Sequence, residues 1–241
     1  MNKLKQIGIA CAIAAGLVAG SAQADLIEVK MTVDNSYALF VGNANGATTF
    51  VGADNNWMNV ETYNFNLASS AYLYVVTASD RQTAQGFLGQ FTNQTNNYTF
   101  YSHDPQWQVM ATGLGGAAPY SGSTADLSLL STEIQNANAN NNASQGWQNF
   151  TAGAYNDGSG IWGQISGIDA AARWVWYAGG NCNAANPTMG GCDAGEWLVF
   201  RIAVAATPDD PTPDPQGHLP EPASLALAGL GLLAAAASRR R

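Results

Sequence analysis

Side chains that could act as catalysts are few in this sequence of 241 residues, and none lies in a catalytic motif. His103 is one of two histidines and precedes Asp104, so it could act as a base beside a carboxylate. No GxSxG turn, HExxH pair or P-loop accompanies it, and a histidine in a surface loop is the simpler interpretation. Hydrolysis of a glycoside needs two positioned carboxylates, and no motif marks such a pair. The sequence therefore argues against an enzyme.

Aromatic and amide side chains indicate binding instead. The seven tryptophans are Trp57, Trp107, Trp147, Trp162, Trp174, Trp176 and Trp197. An exposed indole can stack on the apolar face of a sugar, and Asn, Asp and Gln can bond to its hydroxyls. Trp57 and Trp162 lie in turn contexts and are the candidate glycan contacts. A tryptophan that anchors a packed turn is the alternative.

Oxygen ligands gather in two short segments. Asp34 and Asn35 form the first segment, and Asp54, Asn55 and Asn56 form the second. Calcium takes carboxylate and carbonyl oxygens, although the spacing of an EF-hand is absent. Asp34 and Asp54 are therefore candidate ligands of a structural calcium. No other cofactor is expected.

Two cysteines, Cys182 and Cys192, bracket a loop rich in Gly and Asn, while Cys11 lies near the N-terminus. In an oxidising compartment such a pair is expected to form a disulfide. A metal site on the two cysteines is the alternative, but it needs two further ligands. The disulfide is the preferred prediction.

The N-terminus has the three parts of a secretory signal peptide. Two lysines precede an apolar run, which ends at the small residues Ala22 and Ala24. The run is shorter than the roughly 20 residues of a resident membrane helix. We therefore predict that residues 1–24 form a signal helix, that signal peptidase cleaves after Ala24, and that the chain is exported.

The C-terminus also has the pattern of a processing signal. Residues 207–218 form a linker rich in Pro and Asp, a composition that favours extended chain. Pro220, Glu221 and Pro222 follow, and then come sixteen uncharged residues that predict a short transmembrane helix. The chain ends in a basic cluster that favours the cytoplasmic side, namely Arg239, Arg240 and Arg241. An ordinary C-terminal anchor helix is the alternative.

Residues 219–241 resemble the PEP-CTERM sorting signal of Gram-negative bacteria. The resemblance implies that exosortase, a membrane-embedded enzyme, recognises Pro220, Glu221 and Pro222 and cleaves near them. It also implies an association with exopolysaccharide and biofilm. The protein is then expected to be anchored transiently in the inner membrane and to reach the cell surface or the extracellular space.

The predicted exported part is strongly acidic. Residues 25–214 contain four basic and sixteen acidic side chains, a net charge of −12. Nucleic-acid binding is disfavoured, because phosphate contacts need clustered Lys and Arg. Solubility among anionic polymers, or association through cations, fits this charge better.

Residues 25–206 are predicted to form one mostly β domain, an antiparallel β-sandwich. Alternating or short apolar runs predict strands at 27–33, 37–41, 59–67, 71–78, 86–91, 173–177 and 196–204. We expect the last two to pair with each other across the cysteine loop. One inserted helix is predicted after Ser123, because Leu127, Leu130, Ile134 and Ala137 then share a face.

Several local patterns resemble a galactose-binding-like jelly roll. Residues 33–42 resemble a hairpin of such domains. Its later strands and turns are resembled by residues 56–57 with 63–67, 74–80 with 85–88, and 161–163 with 172–176 and 200–201. The resemblance implies the fold and no single function, since this scaffold hosts lectins, adhesins and accessory domains. The predicted function is therefore that of an exported, non-catalytic matrix protein. A carbohydrate-binding module at the same location is the alternative.

Overall fold

Two antiparallel sheets and one helix make up the computed structural model, which describes residues 24–68, 70–80, 82–115, 122–179, 186–189 and 192–204. The strands are β1 (Asp25–Asp34), β2 (Ser36–Asn43), β3 (Gly46–Asp54), β4 (Glu61–Leu67), β5 (Tyr72–Ala78), β6 (Gly86–Asn93), β7 (Tyr98–Tyr101), β8 (Gln108–Ala111), β9 (Thr151–Tyr155), β10 (Arg173–Trp176) and β11 (Leu198–Ala203). The helix α1 (Thr124–Asn138) lies between β8 and β9.

The first sheet has the strand order β4-β1-β6-β10-β9, with β7 also paired to β6. The second sheet has the order β3-β2-β5-β11-β8. Each pair is antiparallel; Val29 of β1, for example, lies opposite Tyr63 of β4 and Phe91 of β6. The predicted mostly β fold with one helix is confirmed, and two such sheets are consistent with the predicted sandwich.

A single apolar core fills the space between the sheets. The first sheet contributes Met31 and Phe87, the second contributes Leu39, Val75 and Phe200, and all five are fully buried. Because side chains alternate along a strand, the neighbours of these residues point away from this core. The outer face of each sheet is therefore buried only where another segment of the chain covers it.

Helix α1 covers the outer face of the second sheet. Ser123 caps its N-terminus by accepting the backbone N–H of Asp126 at 3.2 Å. Leu130, Ile134 and Ala137 are buried in a second apolar cluster with strand residues of β2 and β5. Both faces of β5 are therefore buried, which explains why its sequence is a nearly continuous apolar run. The predicted cap and apolar face of the helix are confirmed.

Two predicted strand pairings are wrong. β10 and β11 do not pair across the cysteine loop, because β10 lies between β6 and β9 and β11 lies between β5 and β8. Residues 33–42 do not form a hairpin either. Only Asn35 separates β1 from β2, and there the chain passes from one sheet to the other. In both cases neighbours in the sequence contribute to opposite walls of one core instead of sharing hydrogen bonds.

The predicted signal helix and sorting signal lie outside the described residues, apart from Ala24. Within the part of the chain that the structure describes, no helix combines the length and the apolar character needed to cross a bilayer.

Candidate functional site

The candidate ligand-binding residues meet on the outer face of the first sheet. Thr32 and Asp34 of β1 point away from the core that holds Met31 and Val33. The Thr32 hydroxyl donates to the backbone carbonyl of Trp57 at 2.9 Å. Asp34 lies two residues after Thr32 on the same face of β1. Its carboxylate is therefore next to the point where the loop that carries Trp57 is attached.

Residues 156–172 cover this part of the sheet as an ordered loop. The Asn156 side chain is fully buried; its amide group donates to the carbonyls of Ile165 and Ile168 at 3.0 and 2.9 Å. Its carbonyl oxygen accepts the backbone N–H of Ile165 at 2.7 Å. These bonds hold the loop closed, so that Trp162 stacks on Trp174 of β10 with ring centroids 4.2 Å apart.

Trp162 is fixed at both its ring face and its nitrogen. Its indole N–H donates to Asp34 Oδ2 at 2.8 Å, and only 8% of the residue is exposed. Trp57 is half-buried and packs against the same apolar cluster. Of the two predicted sugar contacts, Trp57 is thus the more accessible, and Trp162 is mainly a packed anchor with part of its surface on a cavity.

That cavity, the Trp57 cavity, has a volume of about 240 Å³. It brings together Trp57, Trp162 and Asp34, which are three of the four residues predicted to bind a sugar or a metal. Its complete lining is Asp34, Asn35, Trp57, Asp80, Gln82, Thr83, Ala84, Ile161 and Trp162. Indole surface thus lies beside carboxylate, amide and hydroxyl groups in one concave site.

The two carboxyl groups of the Trp57 cavity differ in environment. Burial raises the pKa of Asp34, and the nearby charge of Asp80 raises it further, while the bond from Trp162 opposes both effects. Asp80 is exposed, and its backbone N–H donates to the Asn35 side chain at 2.9 Å. The cavity therefore has one buried carboxyl group in its wall and one carboxylate at its rim.

A second and larger cavity, the Arg173 cavity, lies on the other side of the segment Ile161–Trp162, and both residues of that segment line the two cavities. Its volume is about 420 Å³. Its lining is Ala152, Gly153, Ala154, Ser159, Gly160, Ile161, Trp162, Arg173, Asn186, Thr188 and Met189. Sequence reasoning missed Arg173. The available signal was a lone cation at the start of an otherwise apolar strand.

Asp54 does not reach either cavity. Its carboxylate accepts the backbone N–H of Asn56 at 3.2 Å, as in a local turn. Among the described residues, no group of three His, Cys, Asp or Glu side chains converges as metal ligands. The structural calcium at Asp34 and Asp54 stays a prediction.

The end of the cysteine loop is attached to the first sheet. The backbone carbonyl of the buried Cys192 accepts the Trp176 indole N–H at 2.7 Å and the Gln85 side-chain amide at 3.4 Å. The same Gln85 amide donates to the carbonyl of Pro187 at 2.6 Å. Cys182 lies outside the described residues, so the disulfide between Cys182 and Cys192 stays a prediction.

The remaining aromatic and histidine side chains have packing environments. Trp107, Trp174 and Trp176 are fully buried, and Trp197 is nearly so. His103 stacks on Tyr101 with ring centroids 5.6 Å apart. Burial lowers the pKa of His103, the charge of Arg173 lowers it further, and the charge of Asp104 opposes both effects.

Comparison with known proteins gives a match at the C-terminal end of the sequence. Residues 219–241 match the PEP-CTERM protein-sorting motif. This motif suggests an exported protein that exosortase processes, and it implies membrane anchoring followed by a surface or extracellular location. No curated protein and no solved structure gives a significant match to the chain.

Proposed function

We propose that this protein is exported, cleaved by exosortase and retained at the cell surface or in the extracellular matrix as a non-catalytic component associated with exopolysaccharide. The match of residues 219–241 to the sorting motif carries the proposal. The predicted signal peptide supplies the matching start of the same route. The acidic composition supports a role among secreted polymers, because like charge keeps such a protein soluble there.

The sorting motif can be tested by replacing Pro220, Glu221 and Pro222 together with alanine. We expect the variant to stay in the inner membrane at the mass of the uncut chain, because exosortase lacks its recognition residues. The matched control replaces Pro211, Pro213 and Pro215 of the linker, and it should be cut and released normally. Cell fractionation with intact-mass spectrometry measures both properties. A variant released at the normal mature mass would contradict the proposal.

Two features support a non-catalytic role. His103 is stacked on Tyr101, and its Nδ1 atom has no hydrogen-bond partner among the described residues, so no described carboxylate bonds to it there. In the Trp57 cavity, Asp34 already accepts a hydrogen bond from Trp162. Release of sugar products during incubation with the glycans used below would contradict this part of the proposal.

A second candidate function is carbohydrate binding at the Trp57 cavity. The observation that favours it is the convergence of Trp57, Trp162 and Asp34, which are far apart in the sequence, on one concave site. The half-buried Trp57 supplies an apolar platform, and Asn35 and Thr83 supply groups that can bond to hydroxyls. Ligand pockets commonly combine an apolar wall with a few polar groups in this way.

A glycan array tests this candidate with Trp57→Ala. We expect binding to fall by about tenfold or more, since stacking on one aromatic ring contributes about 1–2 kcal/mol. Trp147→Ala is the matched control, because Trp147 is also half-buried but packs beside Tyr74, under Arg201. Urea unfolding of both variants shows whether each is folded. Equal glycan binding by Trp57→Ala and the unaltered protein would exclude the cavity as the site.

A further inference from the structure

We infer that the Arg173 cavity binds the carboxylate of an acidic sugar unit, a uronate, within a polysaccharide chain. This inference rests on the second candidate function, carbohydrate binding, and names its ligand class. The two cavities would then act as neighbouring subsites, because Ile161 and Trp162 form the wall between them.

The Arg173 side chain is held rigidly by the neighbouring strand. Its Nε donates to the Gly153 carbonyl at 2.9 Å, and its Nη2 donates to the same carbonyl at 2.7 Å and to the Ala152 carbonyl at 3.3 Å. Its guanidinium group also lies 4.6 Å from the ring centre of Tyr155. A guanidinium fixed in this way loses little conformational entropy when it binds an anion.

Within the described part of the chain, no carboxylate forms an ion pair with Arg173. Among the described residues, the ion pair that forms joins Lys30 to Glu28 at 2.9 Å, away from Arg173. The chain segments 180–185 and 190–191, which adjoin the cavity lining in sequence, contain no Asp or Glu. The Nη1 group of Arg173 makes no hydrogen bond within the described residues, and it is the group to which we assign the sugar carboxylate.

The other lining groups suit a sugar ring. Asn186 Oδ1 accepts the Thr188 hydroxyl at 2.9 Å, which directs the Asn186 amide group to other acceptors. The Ser159 hydroxyl is already bonded to Asp157 and can still accept from a sugar hydroxyl. Ile161 is 59% exposed and offers apolar surface at the edge of the cavity. A volume of about 420 Å³ lies within the range of small-ligand sites.

In this protein, selectivity for an acidic sugar has to come from direct contacts in the cavity and not from long-range attraction. The net charge of −12 over residues 25–214 gives no long-range attraction for a polyanion. Across the Ile161–Trp162 wall, the Trp57 cavity contains Asp34 and Asp80 and would repel a carboxylate. Of the two cavities, the Arg173 cavity is thus the one whose lining favours an anionic group, with the Asp157 carboxylate beside its Ser159.

The test measures binding of three probes to the native exported protein by calorimetry. The probes are tetragalacturonate, its fully methyl-esterified form and the galacturonate monomer. We expect the acid tetramer to bind at least about tenfold more tightly than its ester, the fold-change that corresponds to one charge-assisted hydrogen bond. Arg173→Gln should abolish this difference. Lys30→Gln removes the same charge outside the cavity and should preserve it.

A second variant is needed because Arg173 also supports β9, so that Arg173→Gln could reduce binding by disturbing the fold. Ala154→Leu places a larger side chain in the cavity and leaves Arg173 unchanged; it should weaken binding of the acid tetramer by about tenfold or more. Equal affinity for acid and ester would overturn the inference and leave carbohydrate binding standing. Equal affinity for monomer and tetramer would overturn its polysaccharide part. If no sugar bound in the calorimetry or on the glycan array, both the uronate inference and the carbohydrate-binding candidate would be overturned. The exosortase proposal is tested separately, by the mass measurement.

Discussion

Asp34 contributes both to the fold and to the candidate site. It ends β1, its carboxylate holds the Trp162 indole at 2.8 Å, and it forms part of the wall of the Trp57 cavity. A buried carboxylate is costly unless hydrogen bonds compensate it, and one indole N–H compensates it only in part. The raised pKa of Asp34 expresses that remaining cost.

Asp34→Asn should therefore change how stability depends on pH. Because the folded state raises the pKa of Asp34 above its ordinary 3.8, its stabilising contribution is complete below that value. The contribution is lost as the pH rises through the raised pKa. Asn keeps an acceptor for Trp162 and carries no charge, so the variant should gain stability relative to the unaltered protein between about pH 4 and about pH 7.

Urea unfolding at the two pH values measures this difference. Asp54→Asn serves as the control for loss of one negative charge, since the Asp54 carboxylate accepts a hydrogen bond within a local turn and lines neither cavity. A difference for Asp34→Asn that is the same at both pH values would show that burial of the carboxyl group carries no proton linkage.

Residue types at the site were predictable, but their assembly was not. Trp57, Trp162 and Asp34 were identified by chemistry alone, as an aromatic or an oxygen ligand in a turn context. Their convergence depends on the loop 156–172 folding back over β1, and the bond between Trp162 and Asp34 spans 128 positions. Arg173 was missed because a single cation in a strand belongs to no motif. Its candidate role in binding an anion follows only from the structure, which places it in a cavity whose other lining residues are uncharged.

At the scale of elements, α1 is what allows the second sheet to be apolar on both faces. Leu130 is 1% exposed and packs on that sheet, whereas the adjacent Leu129 is 38% exposed. Leu130→Ala should therefore lower the free energy of unfolding by about 2–5 kcal/mol, through lost burial and the cavity left behind. Leu129→Ala should change it by about 0.5 kcal/mol or less.

Chemical denaturation of these two variants forms a matched comparison. Both substitutions replace leucine by alanine in the middle of one helix, so the change in helix propensity is the same. Any excess effect at Leu130 then reports packing against the sheet. Similar losses at both positions would mean that the helix contributes through its own stability and not by covering β2 and β5.

Strand prediction succeeded where periodicity was strong and failed where it was not. The alternation of β1 and the apolar runs of β5 and β6 mark strands directly. β3 was missed because Gly46, Gly52 and two adjacent exposed threonines break its pattern, and β7 and β8 have only four residues each. Pairing failed for a different reason, because periodicity shows that a segment is a strand and does not show which sheet it joins.

At the scale of the whole molecule, the described core extends to Val204, shortly before the predicted linker. β11 lies between β5 and β8, with Val199 opposite both Val76 and Met110. The Phe200 ring lies 5.3 Å from that of Phe87, so β11 also joins the two sheets through the core. Strand β11 ends at Ala203, and Val204, the last residue that the structure describes, also lies in the core.

Removing residues 207–241 should therefore leave the free energy of unfolding unchanged within about 1 kcal/mol, since no described core residue is lost. Ending the chain at Gly195 should prevent folding, because β5 and β8 would each lose their central partner and the core would lose Phe200 and Ile202. Thermal unfolding of the uncut chain and the two truncated forms, in one buffer, measures both effects. A large loss of stability in the longer truncated form would mean that the segment after Ala206 belongs to the domain. The sorting signal would then be part of the structure that it delivers, and cleavage by exosortase would alter the exported domain as well as release it.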